Sequence, residues 1–174
     1  MTYGHLKQFE QAAQAYREVV RIRPQDANIW GILGSVYYRD LKQYDQAVQA
    51  YREVLRLEPK DNGTWASLGL AYSRMKQYDQ AILAHGEALR IQPNDADNWF
   101  FLGRAYSNLG RFDRAVHAYR EMLRIRPESS SAWYYLGAAY HAQDQRDKVL
   151  EIYQALRKLD PKTSERYFNT FILP

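Results

Sequence analysis

Trp30, Trp65, Trp99 and Trp133 are separated by 35, 34 and 34 residues. Pro24, Pro59, Pro93, Pro127 and Pro161 keep the same step, and each tryptophan follows a proline by six residues. A period held along a whole chain means stacked copies of one small unit, because a single unit cannot bury its apolar face alone. The copying reaches the level of letters. Residues 7–24 (KQFEQAAQAYREVVRIRP) and 42–59 (KQYDQAVQAYREVLRLEP) share twelve of eighteen.

Each unit holds two helical patterns. Trp30, Leu33, Gly34 and Tyr37 fall at i, i+3, i+4 and i+7, one face of a helix, and the offsets recur from Trp65, Trp99 and Trp133. A second helix follows, with Ala47, Tyr51, Val54 and Leu55 on one face; its copies are Ala81, His85, Ala88 and Leu89, then Ala115, Tyr119, Met122 and Leu123. Each proline ends a second helix, since it lacks the donor that would continue the ladder. Asp26, Asp61, Asp95, Ser129 and Thr163 follow the prolines by two and are expected to cap the next first helix. Gly34, Gly69, Gly103 and Gly137 are expected to face Ala47, Ala81, Ala115 and Val149, small pairs that let two helices cross closely.

The pattern W-x2-L-G-x2-Y … A … P, four times over, resembles the tetratricopeptide repeat (TPR) family across essentially the full chain. The resemblance implies an all-α, right-handed superhelical solenoid of antiparallel helix pairs. The expected organisation is one array: a partial repeat over 1–24, full repeats over 25–59, 60–93, 94–127 and 128–161, and a partial capping helix or tail over 162–174. Tyr3 aligns with Tyr37, so the chain is expected to start near the end of a first helix, with a turn before a second helix at 7–22 whose partner is missing. Either a longer protein has been cut or a first repeat has degenerated. At the other end Tyr167 stands in the tryptophan place of an apolar first-helix fragment with no partner. Tyr37 to Tyr44 spans seven residues where Tyr72 to Tyr78 and Tyr106 to Phe112 span six, so an altered turn is expected at RDLKQ.

The family likeness also implies where ligands lie: along the concave face lined by first helices, at fixed offsets from each tryptophan. Removing the residues that stacking accounts for leaves Tyr38, Phe100, Phe101, Tyr134 and Tyr135 at such offsets. Phe101 and Tyr135 can equally pack between helices, whereas Phe100 and Tyr134 are read as groove residues. Arg39, Arg74 and Arg104 share that face, with Asn108 and His141, against Asp97 and Asn28. The expected groove, Tyr38, Arg39, Arg74, Phe100, Arg104, Asn108, Tyr134 and His141, is basic and aromatic. It suits a protein or peptide carrying acidic and aromatic or apolar residues. Tyr167, Phe168, Phe171 and Ile172 are candidates for self-association, because two unfinished apolar ends can pair into a homo-oligomer. A third reading makes the chain a regulatory or targeting module of a larger enzyme. Glu18/Arg21, Glu53/Arg56, Glu87/Arg90 and Glu121/Arg124 read as solvated i, i+3 pairs.

Other classes are disfavoured. The chaperone-tail clamp of some TPR proteins needs lysine at groove positions that hold none here, and the asparagine ladder of sugar-transferring members is absent. His5, His85, His117 and His141 are widely spaced and there is no cysteine, so no metal or other cofactor is expected. His85 replaces an aromatic residue and reads as a packed core histidine. No phosphate loop or nucleophile elbow is present, and an open groove offers no closed pocket for acid–base work, so no enzyme is expected. A net charge of +4 is weak for nucleic acid. With no apolar run of membrane-spanning length and no signal peptide, membrane insertion is not expected and the location is read as cytoplasmic.

Overall fold

The computed structural model describes residues 3–173, with side chains from residue 6 onward. The described residues contain ten α-helices and no strand, and they group into two compact units, Met1–Ile91 and Gln92–Pro174. Unit 1 holds α1 (Tyr3–Ile22), α2 (Ala27–Ser35) with a π-helical segment, Val36–Leu41, α3 (Tyr44–Leu57), α4 (Asn62–Arg74) and α5 (Tyr78–Ile91). Unit 2 holds α6 (Ala96–Asn108), α7 (Phe112–Ile125), α8 (Ser130–Ala142), α9 (Arg146–Leu159) and α10 (Pro161–Phe171). Within each unit, helices adjacent in sequence pack on one another.

The six-residue step from proline to tryptophan has a direct cause. The indole nitrogen of Trp30, Trp65, Trp99 and Trp133 donates to the carbonyl oxygen of Pro24, Pro59, Pro93 and Pro127 at 3.0, 2.9, 2.8 and 2.8 Å. Each bond ties a proline turn to the first turn of the helix that follows it. The expected caps form on α2, α4, α6 and α8: the side chains of Asp26, Asp61, Asp95 and Ser129 accept from backbone N–H groups of the first turn.

The glycines make room for rings, a contact beyond the expected alanine pairing. A Cβ at Gly34, Gly69 or Gly103 would lie 2.6 Å from the nearest ring atom of Tyr51, His85 and Tyr119 respectively. Ala47, Ala81 and Ala115 are fully buried beside these crossings but are not what the missing Cβ would strike. His85 is fully buried, as a packed core histidine should be.

The expectations about the two ends are corrected, while the one about the RDLKQ turn holds. α1 is one continuous helix of 20 residues, so no turn separates Tyr3 from Phe9; the Tyr3 side chain lies outside the described ones. At RDLKQ the turn is altered as expected, because Arg39, Asp40 and Leu41 belong to the π-helical segment. Lys42 takes the left-handed conformation (φ 55°) that Lys76, Gly110 and Asp144 take in the other pairs. The extra residue is absorbed upstream as the π-helical segment: Gln43 N–H reaches back to the Tyr37 carbonyl, six residues, where Gln77, Arg111 and Gln145 reach back five to Tyr72, Tyr106 and Tyr140.

The last correction concerns the tail. Thr163 does not cap α10; Asp160 does, accepting from Thr163 N–H at 3.0 Å, and Pro161 opens the helix where a missing donor costs nothing. The helix thus starts earlier than its counterparts. Each tryptophan is the fourth residue of its helix, but Tyr167 is the seventh of α10. Tyr167 therefore turns inward, fully buried, and fills the space opposite Gly137. Its hydroxyl donates to the Val149 carbonyl at 3.2 Å. Tyr153, which register places opposite Gly137, instead packs tilted against Phe168 with centroids 5.2 Å apart. The tail is not a fragment without a partner: α10 packs on α8 and α9.

Candidate functional site

The first helices of unit 1, α2 and α4, present a cleft of about 340 Å³. Gly31, Ile32 and Val54 give it apolar walls, and Ser35, Ser67 and Arg39 give it polar ones. Gly31, Ile32 and Ser35 sit one, two and five residues after Trp30, so the offsets that mark the ligand face converge here. The Tyr51 hydroxyl forms its base. Burial pushes that hydroxyl above its ordinary value, offset by hydrogen bonding to Ser35 and Ser67, and Tyr38 and Arg39 lie close enough to act on it electrostatically. At the rim the Arg74 guanidinium donates to the Tyr38 hydroxyl at 3.4 Å, and the Tyr38 ring rests against Tyr44, 5.6 Å between centroids. Arg39 and Arg74 are both exposed, and neither is among the ion pairs the structure forms.

The equivalent face of unit 2 is filled by its own side chains. Phe100 lies 5.3 Å from Tyr135, 5.5 Å from Phe101 and 6.1 Å from Tyr119. The Arg104 guanidinium sits over Phe100 and Tyr135 at 5.9 and 5.7 Å, a cation–π arrangement. Tyr134 is half-buried, 5.8 Å from Tyr167 and 5.4 Å from Phe171, with the Arg166 guanidinium 4.3 Å above its ring. His141 is exposed and packs tilted against Phe171 at 5.2 Å. The Asn108 amide donates to the Arg104 carbonyl of its own helix at 2.8 Å. Asp97 forms a two-pronged pair with Arg126, at 2.7 and 3.3 Å.

The sequence-derived set thus divides. Arg39 lines the unit 1 cleft and its neighbour Tyr38 holds Arg74, while Phe100, Arg104, Tyr134 and His141 are engaged in unit 2 by neighbouring rings. Of the tail residues, Tyr167 is buried, and Phe168, Phe171 and Ile172 are partly covered. The sequence reading passed over Gly31, Ile32, Ser35 and Ser67 as cleft residues, although their offsets from Trp30 and Trp65 marked them. It also assigned Tyr51 to the scaffold alone.

A wider cleft of about 910 Å³ opens where α1 meets α2 and α3. Glu10, Arg17, Glu18 and Arg21 line it, so both signs of charge are present and Arg21 is already paired with Glu18 at 3.3 Å. Among the described residues no group of three or more His, Asp or Glu side chains could hold a metal ion, and no helix is long and apolar enough to cross a membrane.

No curated protein matches the sequence. Among solved structures, MamA superposes with a TM-score of 0.84 at 24% identity, covering 95% of this chain and 98% of that one. YrrB, described as a TPR protein with an unusual peptide-binding site, superposes at 0.82 with 20% identity, covering 95% and 86%. The MamA fragment from Desulfovibrio magneticus RS-1 superposes at 0.81 with 22% identity, covering 88% and 86%. These likenesses establish the fold. The family model for the middle TPR-like domain of cilia and flagella-associated protein 70 matches residues 2–126, and the tetratricopeptide repeat model matches 109–169. With the greater part of its length so matched, the chain belongs to the family of tetratricopeptide-repeat domains.

Proposed function

We propose that the chain is a non-catalytic protein-interaction scaffold whose first-helix faces take a peptide or protein segment bearing carboxylates and apolar side chains. The observation that carries this reading is the unit 1 cleft, with Arg39 and Arg74 exposed beside it and unpaired with any carboxylate. Family membership supports an interaction role, and the peptide-binding site described for YrrB supports the class of partner. Of the remaining sequence-derived groove residues, Tyr38 stands on the unit 1 face, and Phe100, Arg104, Asn108, Tyr134 and His141 stand on the first helices of unit 2. Ordering a linear peptide costs free energy, so affinity is expected in the micromolar range, about −8 kcal/mol.

The test is capture of partners on the immobilised chain, compared with an Arg74→Glu/Arg104→Glu variant. Loss of the captured proteins with unchanged helical circular dichroism is the expected result. Equal capture by the variant overturns the basic-face reading. Self-association keeps one supporting observation, on α1: Ile22 is 74% exposed and Leu6 36%. Scattering mass that rises with concentration in the intact chain, and not in an Ile22→Ser/Leu6→Ser variant, would favour it.

A further inference from the structure

We infer that peptide recognition is confined to unit 1, where the cleft takes a short extended segment with one aliphatic side chain and, within a few residues of it, a carboxylate. This inference rests on the peptide-binding reading above and gives it a place and a chemistry.

Gly31 leaves space that packing does not require. A Cβ there would have its nearest neighbour, Val54 Cγ2, at 3.9 Å, an ordinary contact, whereas at Gly34 the Tyr51 ring would block it at 2.6 Å. The position after each tryptophan holds Gly31 and Ala66 in unit 1 but Phe100 and Tyr134 in unit 2. Those rings occupy in unit 2 the first-helix positions that stay open in unit 1; the unit 2 clefts, about 460 and 360 Å³, lie elsewhere, one between α7, α8 and α9 and one beside the end of α10. The unit 1 cleft, about 340 Å³, lies at the low end of ligand-pocket sizes and has an apolar wall that includes Ile32, still 42% exposed. Such a space rewards burial of one aliphatic side chain.

Charge fixes the second feature of the guest and its direction. Arg39 lines one end of the cleft, with the Arg74–Tyr38 hydrogen bond beside it. Glu58 and Asp61 also line it, at the opposite end, because α2 and α3 run antiparallel and Glu58 follows the last turn of α3. Asp61 is committed to capping α4. Two guanidiniums and a phenol at one end and a carboxylate at the other complement a segment whose own carboxylate lies at the arginine end. The Ser67 hydroxyl donates to the Gly63 carbonyl of its own helix at 2.9 Å, so what the cleft offers the polar backbone of a guest there is an acceptor.

The π-helical segment is a third, independent sign. Val36–Leu41 is the one such segment among the described helices, and it carries both Tyr38 and Arg39. Single π turns are rare and gather at functional sites. Here the extra residue is taken up where the tyrosine and arginine stand, and only the left-handed residue that follows is as in the other pairs.

The experiment is selection of random heptapeptides displayed against the full chain, repeated on Arg39→Glu/Arg74→Glu and on Gly31→Phe, all three with intact helical circular dichroism. The expected wild-type consensus is an aliphatic residue with Asp or Glu within three positions. The double charge reversal should switch that preference to Lys or Arg and weaken the wild-type peptide by about ten-fold or more. Gly31→Phe should abolish the aliphatic preference. If the variants select the same peptides as the wild type, the cleft is not the site, although the scaffold reading stands. If the wild type enriches nothing above bare matrix, the peptide reading falls with it. If a single-stranded RNA dodecamer binds and Arg39→Glu/Arg74→Glu releases it, the arginines serve phosphates and the inference is wrong.

Discussion

The first-helix faces of the two units use the same backbone positions to opposite ends. In unit 1, Gly31 and Ser67 leave a cleft with Tyr51 at its base. In unit 2 the position of Gly31 holds Phe100 and that of Ser67 holds Tyr135; the two rings meet at 5.3 Å, with Arg104 over both. Tyr119, the counterpart of Tyr51, is fully buried beneath them, and burial pushes its hydroxyl well above the ordinary range. The scaffold, with its Trp–Pro bonds, caps and glycine-to-ring contacts, repeats in both. The difference teaches that in a repeat chain the architecture is set by residues the copies share, while an open or a closed surface is set by the few positions where they differ.

The largest way to break the comparison is to remove the ring that closes unit 2. Tyr167→Ala deletes a fully buried aromatic side chain opposite Gly137 and should cost about 3–5 kcal/mol. Hydrogen exchange should show α8, α9 and α10 losing protection while α2, α3 and α4 keep theirs. Equal loss in both sets would mean the two units do not hold their stability separately.

A pair of glycine substitutions sharpens the contrast. Gly103→Ala drives a methyl to 2.6 Å from the Tyr119 ring, and the crowded face should lose about 1–3 kcal/mol. Gly31→Ala meets nothing closer than 3.9 Å and should gain about 0.5–1 kcal/mol from helix propensity. Thermal midpoints moving in opposite directions are expected. A loss at Gly31 would show that the cleft is less open than its geometry.

How much of this was legible in the sequence follows from what each feature depends on. The helix pairs could be read because the period, the caps at Asp26, Asp61, Asp95 and Ser129 and the prolines are local signals. The ring opposite each glycine could not, because spacing along one helix does not say which side chain of the next helix meets it. The tail was misread through a local sign that was present: Asp160–Pro161 is a cap followed by a first-turn proline, which starts α10 early and turns Tyr167 inward. Of the candidate site, Arg39 and Arg74 were visible from their offsets. Arg104, Tyr134 and His141 lie five, one and eight residues after a tryptophan, and their engagement depends on Tyr135, Arg166 and Phe171 arriving from other helices.

A smaller effect tests the tyrosine hydroxyls. Tyr167→Phe keeps the ring and removes the bond to the Val149 carbonyl, for a loss of about 1 kcal/mol. Burial raises the titration of Tyr51, Tyr119 and Tyr167 in the folded chain. A group raised on folding contributes its stability fully below its unfolded value, about 10 for tyrosine, and loses it as pH climbs above that. Stability should therefore be flat in this respect below pH about 10 and fall above it. The fall should be steeper in unit 2, which holds Tyr119 and Tyr167, and Tyr167→Phe should reduce it. A unit 2 no more alkali-sensitive than unit 1 in circular dichroism and tyrosinate absorbance would remove these hydroxyls from the comparison.

The smallest expected effect lies where the units should not differ at all. Arg56 pairs with Glu53 at 2.9 Å and Arg124 with Glu121 at 3.0 Å, both exposed and three residues apart on second helices. Solvent screens such pairs, so Glu53→Gln and Glu121→Gln should each cost about 0.3 kcal/mol, and less in high salt. The two losses should be equal within error in denaturant titrations, and neither variant should alter peptide selection. This near-null result carries weight because it separates the two surfaces of one repeat. If Glu53→Gln changed selection and Glu121→Gln did not, recognition would extend to the second-helix surface. The division between a shared scaffold and a differing first-helix face would then have to be redrawn around both helices of unit 1.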